Sequence, residues 1–138
     1  MDHSHIVTRF DKDLSEIESL LVEMADLVAK QISDSALALQ LGDNQLAKAV
    51  TKNDSKINRL EEKIDDKAIR LIALRQPMAE DLRSAITTLK VSNCLERMGD
   101  YAKTLSYRAR KVDDFSAMKS ILRSITETSE KIINMLNV

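Results

Sequence analysis

The sequence predicts an all-α protein, an up-down antiparallel bundle of three long helices with a shorter fourth. Three observations predict it. Two glycines, one proline and 3% aromatics in 138 residues are too few turn-formers and aromatics for a multi-strand β domain. The chain is 43% hydrophobic and 31% charged, rich in Ala, Leu, Ile, Lys, Glu and Ser, which suits long amphipathic helices. Finally, apolar residues recur at alternating steps of three and four, the spacing of helices that pack side by side.

The first helix is expected to start near Thr8, where Thr8 and Asp11 have the form of a capping box. Its stripe runs through Leu14, Ile17, Leu21, Met24, Val28, Ile32, Ser35 and Leu39. Gly42 reads as the stop, and Asp43 as the cap of the next helix. That second helix carries Leu46, Val50, Ile57, Leu60, Ile64, Ala68, Leu71 and Leu74, with polar Asn53 and Asp54 interrupting the stripe. Pro77 ends it, since the residue before a proline is pushed out of helical geometry. Pro77 also suits the first position of a third helix, expected over about Met78 to Lys111. A fourth segment, Ala117 to Leu136, places Met118, Ile121, Leu122, Ile125, Ile132, Ile133 and Leu136 on helical spacing. Helices of roughly 30 residues are about 45 Å long, and tight connections between them imply antiparallel neighbours. The domain division follows: residues 1–111 form a three-helix unit, and 112–138 either close a four-helix bundle or open a second unit.

Several function classes are excluded or disfavoured. A net charge of −1 provides no global field for nucleic acid or an anionic membrane. No apolar run reaches the length of a membrane span or secretory core, so a cytoplasmic protein without membrane insertion is expected. The single cysteine, Cys94, reads as a small packing residue without a histidine beside it. The two histidines, His3 and His5, precede the first predicted helix, and no Glu-x-x-His occurs, which argues against a di-metal carboxylate enzyme. No glycine-rich phosphate loop is present.

The third helix carries the most informative pattern. Met78, Leu82, Ala85, Ile86 and Leu89 share one sector roughly 100° wide, and that sector continues through Asn93, Glu96 and Asp100. Val91, Leu95, Met98, Ala102, Leu105 and Ala109 lie on another side. A face that begins as core is thus expected to end as an amide and two carboxylates. Glu96 and Asp100, four apart, are neighbours on one face, and their repulsion falls if a cation sits between them. Oxygens at this spacing supply part of a site for Mg²⁺, Mn²⁺ or iron, the rest coming from another helix, another chain or water. On spacing alone, such a pair in so charged a helix is most often a solvated face. Asn53 and Asp54 are candidates for the same wet region, and Gly99, between the two acids, could permit close backbone approach.

The run Arg75-Gln76-Pro77-Met78-Ala79-Glu80-Asp81-Leu82-Arg83, followed by Leu95-Glu96-Arg97-Met98-Gly99-Asp100, resembles the PhoU family of phosphate-uptake regulators. Upstream, Asp43, Leu46-Ala47, Asp54 and Glu61 fall where that family's second helix places such residues, and the resemblance covers roughly residues 5 to 111. It implies two tandem three-helix repeats, each with a Glu/Asp-x-x-x-Asp motif associated with bound metal. By resemblance, then, Glu96 and Asp100 are metal ligands with Asn93 a weaker third, the metal being a divalent or iron-type ion. Asp81 and Arg83 match a segment associated with signalling partners, although charged residues at a helix start also serve as caps or interhelical pairs.

The resemblance implies a regulator without catalysis, a negative regulator of phosphate uptake and phosphate-responsive signalling. Its partners would be a sensor histidine kinase and the ATPase of the phosphate transporter. Only one complete repeat is present, so the bare stripe of the fourth helix is expected to pack back or to drive a homodimer. The alternative is a structural or oligomerisation bundle with neither metal nor signalling role, which the stripes support equally well.

Overall fold

The computed structural model describes residues 3–109 and, beyond them, only the helical positions Arg123, Glu127, Lys131 and Asn134. Three helices fill the described region: α1, His3–Leu41; α2, Asn44–Arg75; and α3, Glu80–Ala109. No strand occurs among the described residues. The expected fourth helix and the 112–138 unit lie outside them, apart from those four positions.

The turn between α1 and α2 forms as its residues dictate. Gly42 takes the left-handed conformation, φ 64°, that a helix C-terminus needs and that glycine adopts without penalty. The Asp43 N–H then reaches back to the Ala38 carbonyl at 3.0 Å, closing a Schellman-type end. The same residue starts α2, its Oδ1 accepting from the N–H groups of Gln45 and Leu46 at 3.1 Å each. One aspartate therefore closes one helix and opens the next.

The other two boundaries differ from expectation. α1 begins at His3, so Thr8 lies inside the helix and is not its cap. Phe10, 4% exposed, extends the core stripe a turn upstream of Leu14, and no Gly or Pro between His3 and Phe10 interrupts the helix. At the second turn, α2 ends at Arg75 and α3 begins at Glu80, so Pro77 is not the first residue of α3. Gln76 is left-handed at φ 45° and caps α2 by donating its N–H to the Ile72 carbonyl at 3.1 Å. Ala79 is also left-handed, φ 52°, and its carbonyl accepts from Arg83. The chain thus reverses through two strained non-glycine residues on either side of the proline.

α1 and α3 run parallel, because Gln31 meets Gly99 and Met24 meets Ser92, each pair 68 residues apart. α2 runs against both: its C-terminal Arg75 pairs with Asp13 near the start of α1. The core is built from Phe10, Ile17, Met24, Val28 and Ile32 of α1, Ile57, Ile64, Ala68 and Leu71 of α2, and Ala85, Leu95 and Ala102 of α3. Burying each large aliphatic contributes about 1.5–3 kcal/mol. α3 packs closely because its inner line, Ala85, Thr88, Ser92, Leu95, Gly99, Ala102 and Ser106, consists mainly of small side chains.

That inner line corrects the expected face of α3. Met78 is 80% exposed, Ile86 and Val91 are each 39% exposed, and Cys94 is exposed rather than packed. Thr88, Ser92 and Ser106 are buried instead. A hydropathy reading counts small hydroxyl residues as polar, yet Thr88 satisfies its hydroxyl by donating to the Ala85 carbonyl at 2.6 Å. Ser106 is the exception, its buried Oγ having no hydrogen-bond partner among the described residues.

A charged seam between α2 and α3

The seven-residue repeat of α3 resolves what becomes of the acidic residues. One column holds Leu82, Leu89, Glu96 and Lys103, all half-buried against the core's edge. The next holds Ile86, Asn93, Asp100 and Tyr107, all exposed. The change from apolar to charged is therefore real in the first column, which carries Glu96. Asn93 and Asp100 lie on the outer column, where the preceding member is itself exposed. The expectation of a single inward face holding all three is corrected: only Glu96 turns toward α2.

Two charged contacts cross the seam. Lys103 Nζ lies 3.6 Å from Asp54 Oδ2, with Asp54 almost wholly buried and Lys103 less than half exposed. One heptad along, Glu96 opposes Glu61 of α2. The Glu61 carboxyl is raised above its usual value, first by burial and then by the charges of Glu96, Asp65 and Glu62. Asp65 is raised as well, by burial and by Asp66. No ion pair to Glu61 or Glu96 occurs among the described residues. The seam thus joins one complementary pair to one like-charged pair, and the latter carries negative charge that a cation would neutralise.

As a metal site the donor set is incomplete. Among the described residues no three or more His, Cys, Asp or Glu side chains gather closely enough to hold a metal ion. Glu96 and Glu61 face each other, Asp100 follows one turn from Glu96, and the remaining oxygens of a six-coordinate shell would come from water or another chain. The charge fits a hydrated hard cation; the number of ligands fits no closed cage.

Beneath the seam lies a polar node that only the packing reveals. Gln31 of α1 donates through Nε2 to Asp54 Oδ1 at 2.9 Å and to the Gly99 carbonyl at 2.8 Å. Asn58 Nδ2 stands 3.5 Å from the other Asp54 oxygen. Gly99 lets α3 approach Ile57 of α2 closely: a Cβ there would lie 3.2 Å from Ile57 Cδ1, but at an ordinary 3.6 Å from Gln31 Nε2. Asp54 does belong with the acidic stretch of α3, as its polarity suggested, but as a buried acceptor, while Asn53 is exposed. The apolar stripe of α1 passes through Ile32 and does not mark its neighbour Gln31; strict sevenfold spacing from Met24 leads to Gln31.

Asp81 and Arg83 lie elsewhere, in the first turn of α3 and about 20 Å along the helix from Glu96. Both are exposed. Arg83 approaches Glu80 at 3.6 Å, a solvent-exposed pair of little energetic weight. Asp81 complements the positive end of the helix dipole.

Three long helices in an up-down bundle define an all-α bundle protein, with ion pairs joining α1 to α2 and a seam of paired and opposed charges between α2 and α3. Residues 21–109 match the PhoU domain, and the chain belongs to the PhoU family. It is 39% identical over 121 residues to the phosphate-specific transport system accessory protein PhoU homolog of Caulobacter vibrioides, covering 88% of this chain and 53% of that one. The Clostridium acetobutylicum homolog of the same name is 35% identical over 128 residues, covering 92% and 58%. The crystal structure of PhoU from Pseudomonas aeruginosa superposes with a TM-score of 0.81 at 31% identity, over 93% of this chain and 61% of that one. The chain spans about half the length of the curated relatives it matches. No helix among the described residues is long and apolar enough to cross a membrane.

Proposed function

We propose that this chain is a regulatory protein of phosphate uptake that acts by binding rather than by catalysis. In this reading it restrains phosphate-responsive signalling through contact with a sensor histidine kinase and with the ATPase of the phosphate transporter. Membership of a family whose relatives are named accessory proteins of phosphate-specific transport supports the role. Regulation of this kind requires a surface whose affinity differs between the partner's states, since equal binding to all states shifts nothing. The exposed pair Asp81 and Arg83, at the start of α3, is the proposed contact point.

The seam supplies the second part of the proposal: a divalent or iron-type cation bound through Glu96 and Asp100, with Asn93 as a further oxygen donor and Glu61 opposite. The observation that carries it is the unpaired opposition of Glu61 and Glu96. A cation there would supply charge neutralisation, holding α2 and α3 together where their carboxylates repel. Because the ligand set is open, water completes it or, in a homodimer, a second copy of the chain does. Isothermal titration of the parent and the Glu96→Ala/Asp100→Ala variant with Mn²⁺, Zn²⁺ and Fe²⁺ tests this. The variant is expected to lose at least tenfold in affinity; equal affinity would remove both residues from the role. A purely structural bundle is the competing reading, favoured by the exposure of Asn93 and Asp100. Absence of cation binding and of kinase binding together would select it.

A further inference from the structure

We infer that the Gln31–Asp54–Gly99 node is a register lock that sets which residues of α2 and α3 oppose each other along the seam. Apart from the close fit of Gly99 against Ile57, the apolar core constrains this register weakly. Along α1 and α3 the facing line pairs large with small, Met24 with Ser92 and Gln31 with Gly99. One heptad to either side of Ser92 and Gly99, the inner line of α3 again presents a small residue, Ala85 or Ser106. A slip of one heptad, about 10 Å, therefore still places large α1 side chains against small α3 ones. The link between α2 and α3, residues 76–79, stretches to about 14 Å and does not by itself forbid that slip. Most apolar contacts tolerate such a shift; a buried carboxylate matched to one lysine does not.

The node occurs once along the described bundle and ties all three helices together. Gln31 comes from α1, Asp54 from α2, the Gly99 carbonyl and the Lys103 ammonium from α3. A heptad slip of α3 in one direction would set Glu96 in the place of Lys103 against the buried Asp54, a heavy penalty in a low-dielectric interior, and a slip in either direction would bring a serine, Ser92 or Ser106, to the place of Gly99, against Ile57. Single buried polar groups fix register and partner choice in helical assemblies by this means. In the locked register Lys103 meets Asp54 and Glu96 meets Glu61; a heptad slip would break both pairings. Gln31 and Asp54 are in this sense positioning residues for the acidic seam, a consequence that rests on the cation reading above, whereas the lock itself does not.

The test replaces the node with aliphatic groups, in Gln31→Leu/Asp54→Leu, so that no carboxylate is orphaned and the protein folds. Nitroxide labels at exposed Cys94 and at an Asp26→Cys substitution report α1–α3 register by double electron–electron resonance. The parent is expected to give one narrow distance distribution. The double variant is expected to give a broadened or two-population distribution, displaced by up to a heptad, at unchanged helical content. Ile64→Val, which loosens the core without touching the node, should keep the narrow distribution. A single narrow distribution in the double variant overturns the lock. Mn²⁺ titration of the same variant separates the two readings: slipped register with weakened binding supports both, and slipped register with parental affinity keeps the lock but removes the seam from cation binding.

Discussion

Glu61 shows how a single carboxyl records its surroundings. Its proton affinity is raised because the folded chain partly buries it and sets Glu96 opposite. The folded state therefore holds this proton more tightly than the unfolded chain. Its contribution to stability is fully present below the unfolded carboxylate value, near pH 4, and is lost as pH rises through the raised folded value. At neutral pH the charged pair costs stability, and Asp65 acts in the same direction. Glu61→Gln is accordingly expected to melt higher than the parent at pH 7, by the equivalent of under about 1 kcal/mol, since the site is partly solvated. The advantage should vanish at pH 4 and shrink at high salt; an advantage equal at both pH values would assign the effect to something other than charge. Gly99, by contrast, was legible in the sequence only as an oddity between two acids. Its reason is Ile57 of α2, whose Cδ1 a Cβ at this position would meet at 3.2 Å, 42 residues away in the chain.

Among the elements, the turns separate what local chemistry dictates from what it does not. Gly42-Asp43 was readable because both residues act on their immediate neighbours. The turn at Gln76–Ala79 was half-readable: Pro77 announces an interruption, but the two left-handed residues around it follow from where α2 and α3 must pack. Left-handed backbone costs a non-glycine residue about 1–2 kcal/mol. Gln76→Gly keeps the cap to Ile72, removes that strain and gives the unfolded chain more freedom. It is expected to raise stability by a net of about 0.5–1 kcal/mol in urea unfolding. A loss of stability would mean that the Gln76 side chain makes a contribution larger than the strain. The α3 stripe misleads for a physical reason as well. Thr88 and Ser92 are polar by transfer energy but small in volume, and a tightly packed helix selects for volume once the hydroxyl has an internal acceptor.

For the whole molecule, the separation between the exposed Asp81/Arg83 turn and the acidic seam predicts that partner binding and cation binding can be altered independently. The charge reversal Asp81→Lys/Arg83→Glu is expected to weaken binding to the cytoplasmic part of a phosphate-responsive sensor kinase at least tenfold in a surface-binding assay. It should leave the melting temperature and Mn²⁺ affinity near parental values, because both side chains are exposed and their local pairing is weak. Parental kinase affinity would exclude this turn as the contact. The reverse experiment, Glu96→Ala/Asp100→Ala, should affect cation binding first.

By itself the sequence determined three long helices, the sites of their turns and the family to which the chain belongs, because helix periodicity, capping and motif spacing act over a few residues at a time. It also marked Glu96 as a departure from an apolar column. The tertiary structure decided what such local signals cannot carry: that Asp54 is buried, that Gln31 joins it to the Gly99 backbone, and that Glu96 faces Glu61 while Asn93 and Asp100 look outward. Those outcomes depend on the register between helices. Repeating apolar stripes constrain that register only loosely, and a few specific contacts between distant parts of the chain, the buried Asp54 with Lys103 and the close fit of Gly99 against Ile57, resolve it.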